Sequence, residues 1–251
     1  MTLDLLTMAS FSRSLRLLRP LSTFLRPTST IVYSSTKANF TPTITAKMSS
    51  SLSASTYLAH IENRRSHYPL TKDTPLSAKE VDTIVQTALK ATPSSFNSQS
   101  NRVVVLHGDH HTKLWSITSD ILKAIVPADA WESTKGKMDL FSGAAGTVLF
   151  FEDQDVVNGM QQKFAPYADK FPIWANQSDA MLQFSVWTAL EAEGFGANLQ
   201  HYNPLIDEKV AAEWSVPASW KLNAQLVFGG KTGEAGPKDF KPLEETFKSF
   251  N

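Results

Sequence analysis

"ATPSSFNSQSN", residues 91–101, holds four serines, two asparagines and a glutamine, and no charge before Arg102. It joins a helix-patterned stretch to the β-branched run "VVVL" (103–106). A connection between two buried elements needs only a few turn residues. The surplus of uncharged hydrogen-bonding groups must therefore serve something besides turning the chain, and loops are where binding groups concentrate.

On its N-terminal side, "LSAKEVDTIVQTALKA" is the clearest helix of the chain. Ser77 and Glu80 form a capping box, and Val81, Ile84, Val85, Ala88 and Leu89 make an apolar stripe at helical spacing. Before it, Ser55 is placed to cap a short helix through "TYLAHIENRR". On the C-terminal side, "VVVL" reads as a buried strand. "GDHHTKLWSITSDILKAIVP" reads as a helix with Asp109 as N-cap, ended by Pro127. "GTVLFF" (146–151) and "LNAQLVFGG" (222–230) are two further strands. "DQDVVNGMQQKF", "SDAMLQFSVWTALEAEG" and "IDEKVAAEW" are helices, and "LEETFKSF" ends the chain. The second of these is apolar on several sides, so it is either a buried core helix or partly a subunit contact. Helices separating a few strands predict an α+β or α/β domain, a small sheet covered by helices.

Composition is that of an ordinary globular chain, 42% apolar and 19% charged over 251 residues. Residues 1–47 stand apart: six basic side chains against the single acid Asp4, rich in Ser and Arg. They are expected to be a mitochondrial presequence or a disordered leader, with the folded domain running from Met48 to 251. Translation from residue 1 would then direct the chain to mitochondria, and translation from Met48 would leave it in cytoplasm and nucleus. The body holds 18 basic and 23 acidic side chains, which argues against a partner bound through nucleic-acid phosphates. No stretch approaches the ~18 apolar residues of a membrane span. With no cysteine there is no disulfide framework, thiolate metal site or Cys nucleophile.

Familiar chemical motifs fail on inspection. "GGKTGEAG" lacks the first glycine of a phosphate loop, because Gln225 stands there. "GFGANLQ" has Leu199 where a dinucleotide fingerprint needs its third glycine. No G-x-S-x-G elbow occurs, and His107, His110 and His111 lack companions at a metal-ligand spacing. No catalytic side chain and no metal site is expected, so any enzyme built on this chain brings its chemistry in a cofactor. "NRRSHYPL" (63–70) is either a solvated basic turn or an anion cradle, since two guanidinium groups and a hydroxyl suit a phosphate.

In order and spacing, "RRS" (64–66), "PSSFNSQ" (93–99), "EGFGANLQHYNP" (193–204) and "FKPLEETFK" (240–248) resemble the flavin-dependent nitroreductase family. "WTALEAEGFGANLQHYNP" resembles its fungal subgroup, whose yeast members are linked to oxidative-stress response and lipid signalling. The resemblance spans residues 53–250 and implies an FMN-binding α+β fold in an intertwined homodimer. It implies that Ser94, Ser95 and Asn97 border the flavin ring. Arg64, Arg65 and Ser66, with Lys241, would take the phosphate, and Gln200 and His201 would face the N5 edge. Two departures stand out: Ser100 and Asn101 replace the family's frequent Pro-Trp, and Gln200 and His201 replace its usual Glu-Gly.

The implied activity is an FMN-dependent oxidoreductase drawing on NADH or NADPH. Small aromatic acceptors, nitroaromatics or quinones, would be reduced by ping-pong hydride transfer carried on the flavin. The alternative is a flavin-binding redox sensor with little turnover. "KFAPYADKFPIWANQ" (163–177), interrupted by Pro166 and Pro172, is expected to be a helix–loop piece. Phe171 and Trp174 on it either form a substrate lid or fill the core.

Overall fold

The structure, a computed structural model, describes residues 53–251; the expected leader 1–47 lies outside them. Helices α1 (Ala54–Asn63), α2 (Ala78–Ala91), α3 (Gly108–Ile125), α4 (Trp131–Ser142), α5 (Gln154–Lys163), α6 (Phe171–Ala192), α7 (Asp207–Trp214) and α8 (Leu243–Thr246) surround five strands. These are β1 (Leu70–Thr71), β2 (Asn101–His107), β3 (Gly146–Asp153), β4 (Phe195–Gln200) and β5 (Trp220–Lys231). Every strand pairing is antiparallel. Of the two expected classes the fold is therefore α+β. β5 runs through the middle, with β4 along one side and β3 along the other, and β2 lies outside β3.

Each face of the sheet carries its own core. On one, Val148, Phe150, Leu226 and Phe228 meet Val81 and Val85 of α2 and Leu182, Val186 and Leu190 of α6. On the other, Leu149, Phe151 and Val227 meet Leu114 and Trp115 of α3, Phe141 of α4 and Val210 of α7. The alternation along β3 follows from the two-residue period of a strand. β5 breaks that period once. Phe150 pairs with Ala224 but Phe151 pairs with Leu222, so Asn223 is an unpaired extra residue, a β-bulge. Ala224 accordingly belongs to the first core and Leu222 to the second.

The capping box of α2 forms as read, Ser77 and Glu80 each bonding the other's backbone N–H. Other details differ from the sequence reading. Ser53, not Ser55, caps α1. Asp109 does not cap α3: Gly108 at φ 52° already opens the helix behind His107, leaving Asp109 in the first turn, where its charge suits the helix dipole. Pro172 does not interrupt a helix either. It sits in the first turn of α6, where a missing N–H costs nothing, so the helix runs unbroken from Phe171. Pro166 lies in a single 3-10 turn before it. Helix α4 and strands β1 and β4 went unread.

Candidate cofactor site

α2 ends at Thr92, and Pro93 bars its continuation. The chain then turns through three non-glycine residues with positive φ, Phe96 (56°), Asn97 (51°) and Gln99 (54°). Such conformations persist only where the surroundings enforce them, and they cluster at binding sites. Here the enforcement is visible. The Gln99 N–H donates to Ser94 Oγ at 2.9 Å. Ser178 Oγ on α6 donates to the Pro93 carbonyl at 2.8 Å and accepts from Asn101 Nδ2 at 3.1 Å. One hydroxyl thus clasps both ends of the loop. Part of the polar surplus is spent on closure, with Ser100 and Asn101 buried below. Ser95 is half-buried and Asn97 exposed, and Ser94 and Asn97 line an open cavity of about 250 Å³ with Thr92 and Arg102.

Phe96 projects from this loop with 56% of its surface exposed. Its ring lies 4.7 Å from Phe164, 5.7 Å from Phe171 and 6.2 Å from Trp174. Phe171 is itself only 3% exposed and packs on Val157 and Ala175. Of the two readings of Phe171, lid or core, its burial fits the second: the ring fills a small core at the start of α6. Trp174 is half-buried beside it.

The "RRS" segment is held at the other end of α6. Arg64 lays its guanidinium over Trp187, 4.4 Å from the ring centre. The Arg65 N–H donates to the Glu191 carboxylate at 3.2 Å, and its guanidinium donates to the Gly236 carbonyl. Glu191 also accepts from Trp187 Nε1 at 3.0 Å and lies 3.9 Å from both Lys231 and His67. Burial pushes its carboxyl above the usual range, and these partners hold it back. Ser66, exposed, bridges to Ala197 of β4. Gly196 makes that approach possible: a Cβ there would sit 2.7 Å from Leu70 and 3.0 Å from His67.

β4 carries the structure on to Gln200 and His201. Asn198 Nδ2 reaches back to the His67 carbonyl at 2.8 Å, and Gln200 Nε2 donates to Asn198 Oδ1 at 2.8 Å. Beyond them, Gln225 pins the turn by accepting from the Tyr202 N–H at 2.7 Å. Ser66 and Gln200 therefore flank one short strand, roughly 10 Å apart along it. His201 and Lys241 are exposed; Lys241 lies five residues beyond the Gly236 that Arg65 grips. The loop is not brought to this group. Its anchor Ser178 and the segment's anchor Glu191 are thirteen residues apart on α6, about 20 Å.

The three histidines go to separate partners. His107 meets Asp82 at 2.9 Å, and His110 accepts from the Trp214 indole. His111 is buried between Thr147 and the Phe141 carbonyl, and burial lowers its pKa to about 4. It is a neutral core residue whose Nε2–H faces the carbonyl. Glu191 and Ser178 were not singled out from the sequence. The i, i+4 spacing of Trp187 and Glu191 was the one visible signal for either of them.

The nitroreductase family model matches residues 61–230. HBN1 of Saccharomyces cerevisiae is 37% identical over 199 residues, covering 78% of this chain and 97% of that protein. The nitroreductase CinD of Lactococcus lactis, solved with chloramphenicol, superposes with a TM-score of 0.72 at 44% identity, over 78% of this chain and all of CinD. CinD has also been solved with 4-nitrophenol. A structure from Desulfovibrio desulfuricans in complex with FMN, 18% identical, shares the fold with a TM-score of 0.57, over 77% of this chain and 97% of that one. The chain belongs to the nitroreductase family.

Proposed function

We propose that the protein is a homodimeric FMN-dependent oxidoreductase that takes electrons from NADH or NADPH and passes them to nitroaromatics or quinones. The observation that carries this reading is the pair of anchored segments on α6. One is an arginine-bearing turn suited to a phosphate; the other is a strained loop of uncharged donors and acceptors suited to a neutral ring. In that reading Arg64, Arg65, Ser66 and Lys241 hold the phosphate. Ser94, Ser95 and Asn97 border the ring, and Gln200 and His201 stand at its reactive edge. FMN, when bound, supplies the hydride chemistry; the chain contributes position and polarity. Trp174, with Phe96, supplies flat surface on which an aromatic acceptor can stack.

Two features support a second copy completing the site. The loop and the phosphate segment sit at opposite ends of one helix. A single chain also leaves Tyr57 and Leu58 of α1 and Met181 of α6 exposed, together with Phe240, Leu243, Phe247 and Phe250 of the C-terminal tail. Large apolar side chains left this exposed suit a surface that a second copy covers. A place in oxidative-stress defence, and mitochondrial delivery by residues 1–47, belong to the same proposal. Tagged proteins starting at residue 1 and at Met48 should distribute differently in cells.

The test is the absorbance spectrum of purified protein, followed by anaerobic addition of NADH or NADPH. A yellow protein bleached by either and reoxidised by a nitroaromatic is expected. A yellow protein that neither reductant bleaches would be a flavin-binding regulator instead, and a colourless one that takes up no FMN defeats the reading.

A further inference from the structure

Below the loop, β2, β3, β5 and α6 meet in a ring of buried and half-buried polar groups. Asn101 and Glu152 are direct neighbours in the β2–β3 pairing. Glu152 Oε1 accepts from Asn223 Nδ2 at 2.9 Å, and the same amide donates to Asp179 Oδ2 at 3.1 Å. Asp179 follows Ser178, whose hydroxyl closes the loop through Asn101 and Pro93. Asn223 can serve both carboxylates because it is the bulged residue of β5, and a bulge re-aims its side chain. Glu152 and Asp179 are both buried, 3% and 0% exposed. Within the ring, Asn101 Oδ1 and Asp179 Oδ1 are buried without a hydrogen-bond partner.

Two unpartnered oxygens, one of them on a carboxylate, leave this ring short of donors. Asn101 Oδ1 and an ionised Asp179 only accept. Gln183 and Asn223 already give their amide hydrogens to Asp179 Oδ2, leaving Oδ1 without one. A proton on Asp179 adds a donor and removes one of two neighbouring charges. Burial and the facing Glu152 both favour that proton, and Asn223, Gln183 and Lys221 of β5 oppose it, leaving the Asp179 carboxyl at about 6. The next charges at this end of the sheet, Arg102 and Asp153, neutralise each other at 2.9 Å.

We infer that Asp179 is a positioning residue for the loop 93–101, holding it through Asn223, Glu152 and Ser178 in a form set by whether Asp179 carries a proton. The inference rests on the proposed FMN site, since its functional readout is that loop's grip on the flavin. With the proton present the cluster is satisfied and the strained loop is held; with it lost, two adjacent anions loosen the ring and the loop with it.

The experiment titrates the full chain, stripped of flavin, with FMN from about pH 5 to about pH 7, as wild type and as Asp179→Asn. The FMN phosphate titrates in this range itself. Its contribution cancels in the ratio of the two dissociation constants at each pH. Asparagine mimics the proton-bearing form, so wild type should weaken relative to the variant by about fivefold or more as pH rises. Amide hydrogen exchange of residues 94–99 in wild type alone, referenced to β3, should show protection falling over the same range. This second measurement stands even where the variant fails to fold. FMN binding with a constant ratio, or unchanged loop protection, overturns the inference and leaves the FMN site intact. A wild type that takes up no FMN at any pH overturns both.

Discussion

Ser178 and Asn101, seventy-seven residues apart, meet at 3.1 Å, and through that contact one turn of α6 fixes the exit of the loop while the same hydroxyl fixes its entrance at Pro93. Removing it should free the loop without disturbing the sheet. Ser178→Ala leaves a buried amide and a carbonyl short of a partner, a loss of about 1–3 kcal/mol. Urea unfolding should show that loss, and FMN titration a parallel weakening. Full stability with full affinity would mean the clasp is idle.

Arg64→Ala should weaken FMN binding roughly tenfold or more with the dimer intact, since a charge-assisted hydrogen bond is worth about 1.5–3 kcal/mol. The same change uncovers the face of Trp187, so its fluorescence should respond to FMN differently from wild type. Unchanged flavin retention on dialysis would place the phosphate elsewhere.

Stability should depend on pH through two buried groups of opposite sign. Asp179 has its folded pKa raised to about 6 from 3.8, so its contribution is fully present below 3.8 and is lost as pH rises through 6. The loss amounts to about 3 kcal/mol in order of magnitude. His111 is lowered to about 4 from 6.5; its contribution is present above 6.5 and is lost as pH falls towards 4. The two offset each other in the wild type. Urea midpoints of Asp179→Asn should therefore gain on wild type as pH rises from about 4 to about 7. A pH-independent gap between the two proteins would contradict the assignment.

Removing residues 237–251 deletes Phe240, Leu243, Phe247 and Phe250, which stand 67–92% exposed on one chain. The shortened protein should run as a monomer in light scattering and lose its flavin, because the tail also carries Lys241. A flavin-loaded dimer after truncation would assign dimerisation to α1 and α6 alone.

Trp174→Ala should change kcat/KM very differently for a nitroaromatic and for a small quinone while FMN content stays full. Phe171→Ala, which empties a buried position, should cost about 3–5 kcal/mol and lower activity towards all acceptors in parallel. Equal effects of the two substitutions would dissolve the distinction between stacking surface and core.

What could be read in advance was local. Ser77 and Glu80 announce α2 because a capping box is complete within four residues, and Val103–Leu106 announces β2 by propensity alone. β4 hid because Gly196 and Asn198 are poor strand formers; they stand there because His67 and Leu70 crowd one and the His67 carbonyl needs the other. α4 hid because Gly136 and four charged side chains dilute its apolar positions. Pro172 misled because proline starts helices as readily as it ends them. Ser178 could not be found from spacing, and Glu191 only as the fourth residue after Trp187: their remote partners lie 77 and 126 residues away, and only folding sets them together. The order of "RRS", "PSSFNSQ" and "EGFG" did mark the segments that α6 anchors.

The bulge at Asn223 puts one residue of β5 outside the alternation of the strand, and that residue serves its side chain rather than the ladder. Deleting Asn223 would leave Ala224 opposite Phe150 and Leu222 opposite Phe151, a regular ladder with both side chains on their present faces, and what would be lost is the amide that joins Glu152 to Asp179. A substitution at the same place disturbs only a shared amide. Among related chains, an extra residue at this point of the strand should travel with an amide side chain and disappear together with it.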